Sequence, residues 1–142
     1  MTFHTTVRLL TVLALTVAAA ACGSSSPTAP DQTGIPYSQA DLTVGTGAEA
    51  TAGRTATVQY IGWLYSETGP DKKGSQFDAG QFPYVVGSNQ VIKGFDNAVA
   101  GMKVGGTRRV IIPPGLAYGA AGSGPVPPNA ALVFDLALLN VQ

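Results

Sequence analysis

The chain has 142 residues, 45% apolar and only 11% charged, and its eight basic and eight acidic side chains cancel. That length holds one domain of ordinary size plus a tail, and without a basic run there is no electrostatic footprint for a nucleic-acid backbone. One cysteine, Cys22, and one histidine, His4, exclude an internal disulfide and leave the domain without a His-based triad or zinc site; nothing points to a metal, nucleotide or flavin cofactor.

Residues 1–21 read as a secretory signal peptide: Arg8 precedes an apolar run, Leu9 to Leu15, that continues through Val17 into Ala18–Ala21. The run is short for a span of about twenty residues and ends in small side chains suited to a signal peptidase. Ala19-Ala20-Ala21-Cys22 resembles a bacterial lipobox, in which the cysteine is lipidated and becomes the first mature residue, although Ala19 stands where a large aliphatic is usual. The expectation is a lipid anchor at Cys22 in an extracytoplasmic membrane-anchored protein; the alternative is a plain secreted or periplasmic protein cut at the alanines. Residues 22–37 begin with Cys22 followed by Gly23-Ser24-Ser25-Ser26-Pro27-Thr28-Ala29-Pro30, the composition of a flexible tether, which fades into the domain between Asp31 and Gln39.

The domain is expected over residues 38–142. Leu42 and Val44 alternate with polar residues before Gly45-Thr46-Gly47, suggesting a short strand and turn. Ala56 to Tyr65 is the clearest strand, with Val58, Tyr60 and Leu64 on one face and Thr57, Gln59, Ile61 and Trp63 on the other; Gly62 marks a bulge or a close backbone approach. Ser66 to Gln76 reads as a hydrophilic loop whose Asp71, Lys72 and Lys73 form a solvated tip. A short strand, Phe82 to Val86, follows. From Val91 the period changes: Val91, Phe95, Ala98 or Val99, and Met102 define one helical face, with Ser88 or Asn89 as candidate cap and Gly101 as terminator. Thr107 to Ile112 is a strand with Arg108 and Arg109 at its rim as solvated edge charges. Ala131 to Val141 is the last, with Leu132, Phe134, Leu136 and Leu138 on the face toward the helix and Asp135 opposite. The fold class is therefore α+β, a twisted antiparallel sheet of about five strands around one short helix.

Between the last two strands runs a long loop, Pro113 to Asn129. It carries Leu116, Ala117, Tyr118 and Val126 among glycines that permit positive φ and prolines that fix φ. Loops of this length inside a compact domain are usually functional.

VQYIGWL at 58–64, QFD at 76–78, VIKGFDNAVAGMKVGGTRRVIIPP at 91–114, LAYG at 116–119 and VPPNAALVFDLALL at 126–139 resemble the FKBP-type peptidyl-prolyl cis-trans isomerases. The resemblance implies a half-barrel sheet around a short helix, and an apolar cleft for a proline ring of an unfolded or extended polypeptide or for a macrolide inhibitor. Carried over by motif, Tyr60, Asp78 and Tyr118 are the catalytic set. Phe77, Phe82, Val91, Ile92, Phe95 and Phe134 line the substrate site, with Ala117 and Val126 contributing from loops. Phe95 would be the floor under the ring, Ile92 N–H and Tyr118 O–H would bind substrate carbonyls, and Asp78, beside Tyr60, would face the twisting amide. Three departures stand out: Phe95 replaces a frequent Trp; only Ala79-Gly80-Gln81 separates Asp78 from Phe82, where many members have a longer Arg-bearing segment that steadies the aspartate; and Pro125 precedes Val126 in a slightly short loop. The rival expectation is a tethered proline-binding chaperone or docking module with weak turnover.

Overall fold

The computed structural model describes residues 30–142; the expected signal peptide, Cys22 and the tether up to residue 29 lie outside the described residues. Five strands pair antiparallel into one sheet: β1 (Ser38–Thr43), β2 (Thr55–Tyr65), β3 (Lys73–Val85), β4 (Thr107–Ile112) and β5 (Leu132–Val141), in the order β1-β4-β5-β2-β3. The sheet does not close, so β1 and β3 are its edges. The helix α1 (Lys93–Val99) lies against its inner face.

Period-two patterning makes the sheet one-sided. Val58, Val110, Ile112, Leu132, Leu136 and Leu138 are all buried on the face that meets Phe95, Ala98 and Val99 of α1 and the following Met102. A seven-residue helix cannot stand alone in water; burying side chains such as Phe95 and Val99, at about 1.5–3 kcal/mol each, holds it in place. Gly94 permits the close approach, because a Cβ there would overlap the Ile112 side chain of β4.

The α+β class and the five-strand sheet around one helix are as expected, and four local readings are corrected. The loop expected from Ser66 to Gln76 ends early: after a 3₁₀ turn, Pro70–Lys72, β3 begins at Lys73 and runs thirteen residues, so the expected short strand from Phe82 is only its final part. An exposed edge strand needs few apolar residues, so its sequence resembles a loop. Asp71 is solvent-exposed as expected but is paired with Arg109 at 3.0 Å, and Lys73 is not a tip charge, being drawn to Asp135 at 2.7 Å. The helix starts at Lys93 rather than Val91, with Ile92 at its cap and no side-chain capping bond from Ser88 or Asn89; Asn89 sits instead in a turn at φ 58°. Finally, β4 is an interior strand, and neither arginine on it is a free edge charge. Arg108 is 9% exposed; it donates through Nε to Asp41 at 2.6 Å and through its guanidinium to the Ala98 carbonyl at the end of α1 at 2.9 Å. Arg109 grips both oxygens of Asp135 at 2.7 and 3.0 Å. Leu42 and Val44 belong to no buried face, being 51% and 75% exposed beside or on the edge strand β1.

Candidate active site

At the open end of the inner face the core gives way to rings. Tyr60 comes from β2, Phe77 and Phe82 from β3, Phe95 from α1 and Phe134 from β5. Phe95 is the hub: it stacks on Phe82 at 5.8 Å and meets Phe134 and Tyr60 edge-on at 5.6 and 5.9 Å. Phe77 closes one wall against Phe134, at 5.6 Å and nearly perpendicular. Such pairs contribute about 0.5–1.5 kcal/mol each beyond their buried area, so the rings hold one another in place without filling the space above them.

Neighbours on a strand point to opposite faces, yet Phe77 and Asp78 both line the cleft. The reason is a bulge. Gly62 pairs with Asp78 but Trp63 pairs with Gln76, leaving Phe77 as the extra residue, and a bulge re-aims a side chain in this way. Gly62 thus serves both roles expected for it, since a Cβ there would sit 2.7 Å from the Phe134 ring and 2.9 Å from the Phe77 ring. Gly80, paired with Tyr60, lets the phenol lie across β3: its Cβ would come within 3.3 Å of the Tyr60 hydroxyl oxygen.

Above the rings is a cleft of about 420 Å³, within the range of small-molecule and peptide pockets. Val91 and Ile92 form one lip and Tyr118, 38% exposed, the other. Ile92 caps α1, its carbonyl accepting the Phe95 and Asp96 N–H groups; the N–H of a capping residue has no intrahelical partner. The carboxylate in the cleft is Asp78. Its Oδ2 accepts the Tyr60 hydroxyl at 2.8 Å and its Oδ1 accepts the Ala79 N–H at 2.9 Å, so these two groups steady it without an arginine. Burial first, and then the hydrogen bond and charge of Asp78, push the Tyr60 hydroxyl up to about 12; Tyr60 is a phenol donor throughout the neutral range.

Of the expected substrate-site residues, Phe77, Phe82, Val91, Ile92, Phe95 and Phe134 converge on this cleft, as do Tyr60, Asp78 and Tyr118. Two do not line it. Val126 is buried and lines an adjoining recess of about 290 Å³ that shares Phe77, Asp78 and Tyr118 with the cleft. Ala117 packs against the core. Sequence reasoning missed Gln90, which lines the cleft while its Oε1 accepts the Val85 N–H at 3.0 Å. It also missed Asp96, whose carboxylate accepts the Tyr84 hydroxyl at 3.1 Å and the Gly87 N–H at 3.0 Å. Together they pin the segment that presents Val91 and Ile92. Burial and the adjacent Asp96 push the Tyr84 hydroxyl far up.

An open five-strand sheet, one short helix and an aromatic cleft between them define an α+β domain with a single-ligand-sized site. Residues 47–139 match the model of the FKBP-type peptidyl-prolyl cis-trans isomerase family, and the chain belongs to that family. It is 46% identical over 103 residues to an FK506-binding protein of Neisseria meningitidis, covering 71% of this chain and 92% of the relative. It is 45% identical over 107 residues to the 46 kDa FK506-binding nuclear protein of Spodoptera frugiperda, covering 72% of this chain and 24% of that one; the chain thus spans about a quarter of the length of that larger relative. Among solved structures, a peptidyl-prolyl cis-trans isomerase from Pseudomonas syringae pv. tomato aligns with a TM-score of 0.63 at 30% identity, covering 83% of this chain and 84% of that one. FkpA from Escherichia coli aligns with a TM-score of 0.64 at 32% identity, covering 77% and 49%.

Proposed function

We propose that this chain is a peptidyl-prolyl cis-trans isomerase that accelerates rotation about X-Pro bonds in unfolded or extended polypeptides without forming a covalent intermediate. The observation that carries the reading is the convergence of Tyr60, Phe77, Phe82, Phe95 and Phe134 on one open cleft with Tyr118 at its lip. Rotation faces a barrier of about 18–20 kcal/mol because the planar amide is resonance-stabilised. In the twisted amide that resonance is gone and the C–N dipole is smaller, so a water-poor aromatic wall favours it over the planar form. Phe95 supports the proline ring from below. Ile92 N–H and Tyr118 O–H hold the chain on either side, which turns a free rotation into one about a fixed axis. A thousandfold acceleration asks for only about 4 kcal/mol. Asp78, turned toward Tyr60 by its hydrogen bond, orders that wall and faces the carbonyl as it turns. FK506-type macrolides would compete for the same cleft.

The lipobox-like Ala19-Ala20-Ala21-Cys22 and the Gly/Ser/Pro run after it support an extracytoplasmic, lipid-tethered setting. Cys22→Ala then releases the protein from membranes, and unchanged membrane association would remove that part of the proposal. For the activity, exchange NMR on an X-Pro tetrapeptide is the test. Cis/trans exchange should rise at catalytic protein concentrations; no rise at stoichiometric protein would leave only a proline-binding docking module.

A further inference from the structure

Gln32 lies outside the residues that match the family model and outside every strand and helix, yet it makes three hydrogen bonds to two distant parts of the domain. Its backbone N–H donates to the Asn129 carbonyl at 3.1 Å. Its side-chain Oε1 accepts the Ala131 N–H at 2.8 Å, and its Nε2 donates to the Tyr65 carbonyl at 3.3 Å. Tyr65 ends β2, and Asn129 and Ala131 close the long loop just before β5. The residue is itself held in a turn: its carbonyl accepts the Ile35 N–H at 3.1 Å, and Asp31 accepts the Thr33 N–H at 3.0 Å.

Asn129 needs the support. It sits at φ 55°, a left-handed conformation that asparagine tolerates better than other residues with a Cβ but that is sparsely populated unless its surroundings hold it. Two hydrogen bonds do so here. The Asn129 carbonyl accepts from Gln32, and its N–H donates to the Gly119 carbonyl at 2.9 Å. Gly119 follows Tyr118 directly, and its own N–H returns to the Pro114 carbonyl at 2.9 Å. A chain of backbone bonds therefore runs from Gln32 through Asn129 to the residue beside the tyrosine at the cleft lip.

We infer that Gln32 is a positioning residue: it clamps the closing end of the Pro113–Asn129 loop onto β2 and β5 and, through Asn129 and Gly119, sets the place of Tyr118. The inference rests on the isomerase reading for its kinetic consequence but not for its structural one. It makes the segment ahead of β1 part of the machinery rather than the end of a tether.

The test compares Gln32→Ala, Gln32→Glu and the parent protein. In Gln32→Ala, which keeps the backbone bond to Asn129 but loses both side-chain bonds, the Ala131 amide proton exchanges with solvent about tenfold faster or more, while amides of the central ladder such as Val58 keep their protection, and the Asn129 and Gly119 amide and Tyr118 ring resonances shift. KM for an X-Pro peptide rises about three- to tenfold with kcat nearly unchanged, the pattern of a binding contact held less firmly. In a Tyr118→Phe background the same substitution adds little. Gln32→Glu keeps an oxygen for the Ala131 N–H and recovers most of the amide protection and of the KM. Unchanged Asn129 and Gly119 signals in Gln32→Ala, or an equal KM rise with and without the Tyr118 hydroxyl, would overturn the inference. Should the parent protein show no isomerase activity, the function proposed above fails and the amide-exchange arm still decides the clamp.

Discussion

The two faces of the sheet are built from the same strands and carry opposite chemistry. On β5, Phe134 points into the cleft and the next residue, Asp135, points out, where it holds Lys73 and both nitrogens of an Arg109 fork. Arg109 also reaches Asp71, and Lys73 lies 3.8 Å from the centre of the Trp63 ring. That outer network ties the edge strand β3 and its leading turn to the central strands. Where the inner face lines the cleft it carries one hydrogen-bonded side-chain pair, Tyr60 and Asp78, among rings. The difference separates scaffold from site: the Asp135 network ties strands together on the convex side, while the cleft on the concave side keeps apolar surface and space in reserve for a ligand.

The sharpest way to break this contrast is to remove the hub of the inner face. Phe95→Ala should lower kcat/KM in an exchange assay by about a hundredfold and reduce unfolding free energy by about 3–5 kcal/mol; a folded variant with full activity would remove the platform from the account. Next comes Tyr118→Phe, which should raise KM about tenfold and leave the urea midpoint unchanged. The outer face should respond in the reverse sense. Asp135→Ala leaves Arg109 and Lys73 without their shared partner and should reduce stability by about 1–3 kcal/mol, less than for a fully buried pair because the carboxylate is partly solvated, with kcat/KM unchanged. Loss of activity there would show that the two faces are not independent.

The pH dependence is a smaller effect. Hydrogen bonds and charge from Arg109 and Lys73 hold the Asp135 carboxyl below its ordinary value against the opposing effect of burial. A depressed folded-state value stabilises the fold above the unfolded carboxylate range, near 3.9, and that contribution is lost as pH falls through the folded value. Urea midpoints taken downward from pH 6 should therefore drop below about pH 4 in the parent protein, and less in Asp135→Asn. Tyr60 works at the other end. With its hydroxyl pushed up to about 12, its contribution is complete below about 10 and disappears as pH rises toward the folded value. Ultraviolet titration should show a late phenolate that Tyr60→Phe removes.

Most of the inner face was legible in the sequence because its residues obey simple periods. Val58 and Tyr60 on β2 and Leu136 and Leu138 on β5 repeat every two residues, Phe95 and Val99 every four, and both patterns report burial against one surface. The early course of β3 was hidden because an edge strand satisfies half its backbone with solvent and tolerates the polar sequence of a loop. Phe77 itself carries no mark of being the bulged residue; the register shift that turns it was signalled only by Gly62 on the facing strand, which does not say which residue of β3 is the extra one. Arg108 and Arg109 were misplaced because a charged side chain signals solvent until its partners are known, and Asp41 and Asp135 are distant in sequence. Gln90 and Gln32 left no signal, since each binds backbone atoms and an amide can bind any backbone.

The central claim is that rings and desolvation, rather than proton transfer at the carboxylate, lower the rotational barrier. Its most direct test is the cis/trans exchange rate of one X-Pro tetrapeptide measured side by side for the parent protein, Phe95→Leu and Asp78→Asn, each first shown to be folded by its methyl and amide spectrum. The account predicts clear acceleration by the parent, a modest loss in Asp78→Asn and a far larger one in Phe95→Leu. Full activity in Phe95→Leu together with an inert Asp78→Asn would contradict it.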